Sequence, residues 1–255
     1  MEHREYIRHI PGSKFAVLMI HGIAGTPNHF NPLLPQIPED WSVYNILLDG
    51  HGKQVEDFSA TSMEKWKNQV KAQLETIFAR HEKVVLIAHS MGTLFSLQAA
   101  MDHPDRIPCL FLLNVPTRPQ YPPATMAASV RVAWGKVSPK DRRAWEMQNA
   151  TSVNLSRNYL KYFGWIPRMW ELLTECRRMR KLLPQLQTPT YTFQSRSDEL
   201  VCFRSVKDLE GHPYINNTVL EHSGHFAYRE PDLTLLQQRL QALLEEVNNE
   251  SIGIR

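Results

Sequence analysis

This chain of 255 residues has only 3 cysteines, Cys109, Cys176 and Cys202. Their odd number and scattered positions offer neither a disulfide framework nor the paired spacing of a metal site. The expectation is a reducing, cytoplasmic setting with no metal. Also missing is any uninterrupted apolar run near the roughly 20 residues needed to span a bilayer. The N-terminal segment Met1-Glu2-His3-Arg4-Glu5-Tyr6 is charged and lacks the apolar stretch of a secretory signal. The chain has no internal repeats and no low-complexity tracts. No DNA- or RNA-binding module accompanies its basic residues, so nucleic acid is not an expected partner.

What is present is alternation. Apolar content of 42% against 22% charged suits one well-buried α/β domain with room for one insertion. Strand signals at Phe15–Ile20, Val43–Leu48, Val84–Ile87 and Cys109–Leu113 are separated by helical patterns. One of these, Met63 to Arg80, places Met63, Trp66, Val70, Leu74, Ile77 and Phe78 on one face. Such alternation predicts a mostly parallel sheet with helices on both faces.

The most informative residues are Ala88-His89-Ser90-Met91-Gly92, set between the strand signal Val84–Ile87 and a helix signal beginning at Thr93. A serine on a sharp strand-to-helix turn, with small residues two positions away on each side, is lifted out as a nucleophile. The start of the helix then aims free N–H groups at charge developing beside that oxygen. Partners are expected in the order acid, then histidine, each just past a strand. Pro189–Gln194 reads as a β-branched and aromatic strand, and Asp198 follows it in a loop, with Glu199 adjacent as the less favoured carboxylate. Thr218–Glu221 is the next strand. His225 follows it after Gly224, before a closing helix from Leu233 to about Val247, and His222 is the fallback. His89 lies too near Ser90 along the backbone to act as its base, and His51 and His103 read as surface residues. After the first strand comes His21-Gly22-Ile23-Ala24-Gly25, the expected second half of an oxyanion hole, with the backbone N–H groups of Ile23 and Met91 as donors and His21 holding the loop.

On His21–Gly25, Leu48-Asp49-Gly50-His51-Gly52, Ala88–Gly92, Ser197–Val201 and Ser223-Gly224-His225, the chain resembles the α/β-hydrolases, and more narrowly the bacterial carboxylesterase and monoacylglycerol lipase group. Ala88 stands where the commonest elbow has glycine. The resemblance implies an α/β-hydrolase fold of about eight mostly parallel strands, with Ser90, Asp198 and His225 as triad.

The alternation breaks between Pro116 and Thr188, which reads as several short helices. The expected organisation is a hydrolase core at 1–115 and 189–255, with a helical cap at 116–188. That insertion holds 13 basic residues against 4 acidic ones, so it carries a local surplus of positive charge. The charge could steer anionic substrates to the cap or bring it transiently to a membrane surface; a plain solvated exterior is the simpler reading.

The expected activity is hydrolysis of carboxylic esters, short- to medium-chain acyl esters or monoacylglycerols, through an acyl-enzyme. No metal or organic cofactor is required. The partner is a small-molecule acyl ester, and the chain is a monomer or homodimer. Thioesterase, acyltransferase, peptidase and carbon–carbon hydrolase chemistry use the same triad, and a non-catalytic ligand-binding member of the fold is the alternative from another class. Serine rather than aspartate at position 90 argues against dehalogenase or epoxide hydrolase chemistry.

Overall fold

The apolar runs that look continuous in sequence divide by the strand period of two. In β2 (Phe15–Ile20), Ala16, Leu18 and Ile20 enter one core while Val17 and Met19 enter another. The same split occurs in β4 (Lys83–His89) and β5 (Leu110–Leu113). These strands are therefore buried on both faces. The computed structural model describes residues 2–249, so Met1 of the N-terminal segment and residues 250–255 lie outside it. The remaining strands are β1 (Tyr6–Arg8), β3 (Ser42–Ile46), β6 (Thr190–Ser195) and β7 (Ile215–Leu220). They form one sheet in the order β1-β3-β2-β4-β5-β6-β7, parallel except for β1.

Among the described residues there are seven strands where the resemblance implies about eight. The single antiparallel strand, β1, is three residues long and lies in the charged N-terminal segment. Its edge position is fastened by Arg8, which donates to the carbonyls of Pro38 and Trp41. All six longer strand signals fall on strands; Phe15–Ile20 coincides with β2, and the ends of the others differ by at most three residues.

One sheet face is covered by α1 (Val55–Ser59), α2 (Met63–Phe78) and α3 (Met91–Asp102). Ser62 caps α2 by accepting the Lys65 N–H, and Met63, Trp66, Val70, Leu74 and Ile77 turn inward at helical spacing. The helix stops at Phe78 because the next residues tighten into a turn, Arg80 N–H to the Ile77 carbonyl. The other face is covered by α8 (Asp232–Asn248), through Leu236, Leu240, Leu243, Leu244 and Val247, together with Phe30, Leu33 and Trp41 from the loops after β2. Burying each such leucine contributes about 1.5–3 kcal/mol.

The segment between β5 and β6 holds α4 (Pro123–Ala133), α5 (Arg142–Ala150), a 3₁₀ turn at Tyr159–Gly164 and α6 (Trp165–Leu182). Its parts behave differently. α4 and α5 close a small core of their own from Ala128, Val132, Ala144 and Met147. α6 instead joins the main core beside α3 through Cys176 and Met179, and so forms part of the sheet's helical layer. A short helix α7 (Val206–Leu209) precedes β7.

Candidate active site

β4 ends at His89, and the chain turns into α3 through Ser90, whose φ of 52° and ψ of −122° lie in the left-handed half of conformational space. A non-glycine residue there is strained, and the surroundings hold it. The Ser90 N–H donates to the Leu113 carbonyl at 2.9 Å, and the Ser90 carbonyl accepts from Thr93 N–H at 3.0 Å and Thr93 Oγ1 at 2.6 Å. Gly92 shows why the position after next must be small. A Cβ there would lie 2.1 Å from the Ile20 carbonyl oxygen, so α3 can cross the end of β2 only without a side chain. Met91 opens the helix, where N–H groups have no intrahelical acceptor.

The two strands beyond bring Asp198 and His225 together. His225 Nδ1–H donates to Asp198 Oδ2 at 2.9 Å, with both side chains almost wholly buried. Asp198 Oδ1 meanwhile accepts the N–H groups of Leu200 and Val201, each at 2.7 Å. One carboxylate thus shapes its own turn and orients the ring. The hydrogen bonds of the described residues tie His225 to Asp198 and Glu199 but not to Ser90 Oγ. A nucleophile–base contact often tightens only when substrate is bound.

Three supports here went unread in the sequence. Glu199 Oε2 accepts the backbone N–H of His225 at 2.6 Å. Asn114, at a positive φ of 53° just past β5, accepts the Ser195 N–H on Oδ1 and donates to the Gly224 carbonyl. Ser195 Oγ–H donates to the same carbonyl at 3.0 Å. The turn before His225 is thereby tied to the ends of β5 and β6.

The loop after β2 lies directly against the elbow. A Cβ on Gly22 would come within 2.8 Å of Ser90 Cβ, so loop and elbow are in contact. His21 fixes this loop, its Nδ1–H donating to the Gly22 carbonyl at 2.8 Å and its Nε2 accepting the Leu48 N–H at 3.0 Å. Ile23 follows Gly22 in a partly exposed stretch.

His89 does not face Ser90 as a base; its ring lies between others. It stacks on His29 at 3.9 Å and approaches the His225 ring at 4.6 Å. Burial, followed by the charge His29 would carry, pushes its pKa well below the usual imidazole value. Burial, with a smaller effect from His225, lowers His29 to about 3, and His29 Nε2 meets the Tyr228 hydroxyl at 3.0 Å. The Tyr228 phenol is raised well above its usual value by burial and then by the nearby Asp198 charge. His51 corrects the sequence reading. It is buried against Phe58 and Trp66, with its ring 4.7 Å from His21, because the Asp49–Gly52 turn folds under α2. His222 is exposed, and its backbone N–H is held by Asp232.

With this geometry in view, a family model described as serine aminopeptidase S33 (Hydrolase_4) matches residues 12–225. The chain belongs to that family. Relatives of this S33-family chain include a thermostable monoacylglycerol lipase of Bacillus sp. strain H-257, 31% identical over 90 residues, which are 35% of this chain and 36% of that one. A pimeloyl-[acyl-carrier protein] methyl ester esterase of Neisseria meningitidis serogroup A is 28% identical over 116 residues, 44% of this chain and 34% of that one. Each match spans about a third of the relative's length. Among solved structures, one of the metagenome-derived lipolytic enzymes LipS and LipT superposes with a TM-score of 0.73 at 19% identity, covering 96% of this chain and 98% of the other. A Paleococcus ferrophilus monoacylglycerol lipase gives 0.66 at 16%, covering 98% and 100%. At these identities the likeness establishes the fold, that of the α/β-hydrolases.

In this S33-family chain the segment before α6 is fastened to three loops around the site. Ser152 N–H donates to the Ala24 carbonyl, Gln120 Nε2 to the Asp198 carbonyl, and Thr125 Oγ1 to the Glu199 carbonyl. Arg229, four residues past His225, donates to Glu146 of α5. A cleft of about 500 Å³ between α4, α5 and the Asp198 loop is lined by Arg131, Arg142, Arg143 and Arg229 among others. Glu199 lines it, whereas Ser90 and His225 do not. Among the described residues no cluster of His, Cys, Asp and Glu is arranged to hold a metal ion.

Proposed function

We propose that this chain is a serine hydrolase of carboxylic esters, with Ser90 as nucleophile, His225 as general base and acid, and Asp198 as the orienting carboxylate. The observation that carries the reading is the buried 2.9 Å bond from His225 Nδ1 to Asp198 Oδ2, beside a serine held at φ 52° at the mouth of α3. With Nδ1–H committed to Asp198, Nε2 is the nitrogen left to take the Ser90 proton. Ser90 then attacks the acyl carbonyl. The oxyanion is held by the N–H of Met91, free at the helix start, and the N–H of Ile23 in the loop that touches Ser90. His225 returns the proton to the departing alcohol and activates water for deacylation, while Asp198 stabilises the imidazolium. Each turnover restores the starting protonation state without a cofactor.

The substrate class proposed is short- to medium-chain acyl esters or monoacylglycerols, in keeping with the names of the relatives and neighbours. The cap proposed over the site is the part of 116–188 that precedes α6, since α6 packs with the core. Its hydrogen bonds to Ala24, Asp198, Glu199 and Arg229 support a cap seated against the loops that carry the proposed triad.

A chain-length series of p-nitrophenyl esters, run beside matched thioesters and peptide anilides, tests this reading. Turnover is expected to be highest on esters and to fall by orders of magnitude in Ser90→Ala. Preference for the anilides would replace the ester reading with the peptide chemistry in the family's description. Equal turnover by Ser90→Ala would remove Ser90 from the mechanism.

A further inference from the structure

We infer that the outer face formed by the Tyr159–Gly164 turn and α6 is a docking surface for anionic lipid bilayers. Leu160 and Phe163 are three residues apart in a 3₁₀ turn, where side chains at that spacing eclipse, so they project together. Ile166 and Trp170 continue the ridge one helical turn apart on α6. Their exposures are 71, 64, 62 and 66%, so all four stand out from the surface instead of packing on it. A protein that only needs a solvated exterior places charged residues on such a face. Trp134 extends the apolar area at its edge, its ring 6.3 Å from that of Tyr159.

The charge beside this ridge says what covers it. Following the same helical face toward the C-terminus of α6 gives Arg177 and Lys181, both exposed. Among the described residues neither has an ion-pair partner, unlike Lys161, which meets Glu56, and Arg178, which meets Glu175. Lys136 lies over the Trp134 ring at 5.0 Å. Protruding aromatic and aliphatic side chains flanked by unpaired cations match the interfacial zone of a bilayer with acidic headgroups. A second copy of this chain fits poorly, since an isologous contact would bring two further unpaired cations, its own Arg177 and Lys181, to the same face. Among the described residues no helix is long and apolar enough to cross a membrane, so the association is peripheral. It does not depend on the hydrolase reading, because binding is read without turnover.

The experiment is co-sedimentation of the full chain with vesicles of phosphatidylcholine alone and of equal parts phosphatidylcholine and phosphatidylglycerol, at low and high salt. Binding is expected to the mixed vesicles, weakened by salt. The pair Phe163→Ser and Trp170→Ser should weaken it about tenfold or more through lost apolar burial. The pair Arg177→Gln and Lys181→Gln should weaken it about 25-fold on mixed vesicles, at about fivefold per cation. Ile7→Ser, an exposed apolar residue on β1, should change nothing. All these side chains are exposed, so melting temperatures should hold, and the two pairs test the apolar and charged parts separately. Absence of binding to mixed vesicles, or binding unaffected by either pair, overturns the inference. So does sedimentation velocity showing a dimer that dissociates in the Phe163/Trp170 variant, because a second copy then covers the ridge.

Discussion

The backbone N–H of His225 is held by Glu199 Oε2 at 2.6 Å, while the side chain of the preceding residue, Asp198, holds the same histidine's ring. Two successive carboxylates thus fix one residue at two atoms, and each can be removed separately. In the proposed mechanism Glu199 acts through His225, as a positioning residue. A charge-assisted hydrogen bond of this kind contributes about 1.5–3 kcal/mol. Glu199→Ala is expected to lower kcat about tenfold to a hundredfold with little change in KM. Glu199→Gln keeps an acceptor for the His225 N–H and should recover most of the loss, whereas Glu199→Leu, which fills the space without an acceptor, should not.

Asp198→Asn separates shape from charge. The amide oxygen can still accept the Leu200 and Val201 N–H groups that Oδ1 accepts now, so the melting temperature should move little. The ring of His225 loses its anionic partner, and kcat should drop on the order of 10,000-fold. Steady-state kinetics beside thermal melts give the comparison; a large fall in melting temperature with nearly normal kcat would contradict the assignment.

The elbow predicts a contrast between two glycines. Gly92→Ala places a Cβ 2.1 Å from a backbone carbonyl, which has no flexible end to yield, so the expected result is loss of folded protein or a steep fall in melting temperature. In Gly22→Ala the clash, 2.8 Å, is with Ser90 Cβ itself. That variant should fold but lose activity as Ser90 is displaced. Matched circular dichroism and esterase assays on the two proteins distinguish these outcomes.

Acid should unfold this chain through its buried imidazoles. His51 is lowered to about 4 and His29 to about 3, in both cases chiefly by burial, and His21 and His89 are lowered as well. Below the ordinary imidazole value of 6.5 the unfolded chain therefore binds protons that the folded chain refuses, and stability rises with pH over that range. The contribution is complete above about pH 6.5 and is lost progressively as pH falls toward about 4. Thermal melts across this window should show the decline, and His51→Gln should make it shallower.

What could be read from the sequence followed from local pattern. The strand ends that carry Ser90, Asp198 and His225 are legible because each comes just after an apolar or β-branched run, and α2 because its five inward residues repeat at helical spacing. β1 is not legible: three residues in a charged segment become a strand only because β3 offers an edge and Arg8 finds the Pro38 and Trp41 carbonyls. The place of α6 in the core depends on Cys176 and Met179 meeting α3, a tertiary fact. The same holds for the Asn114 bridge and for the stack joining His29 to His89, residues far apart in the chain. His51 looks like a surface loop residue until the Asp49–Gly52 turn is seen beneath Trp66.

The central claim, a serine made nucleophilic by its folded surroundings, is tested most directly by a fluorophosphonate probe with mass-spectrometric mapping of the adduct. The account predicts a single phosphonylated residue, Ser90, in the native chain, with labelling slowed by orders of magnitude in His225→Ala and abolished by heat unfolding. A native chain left unlabelled at Ser90, or one labelled as fast without His225, would contradict it.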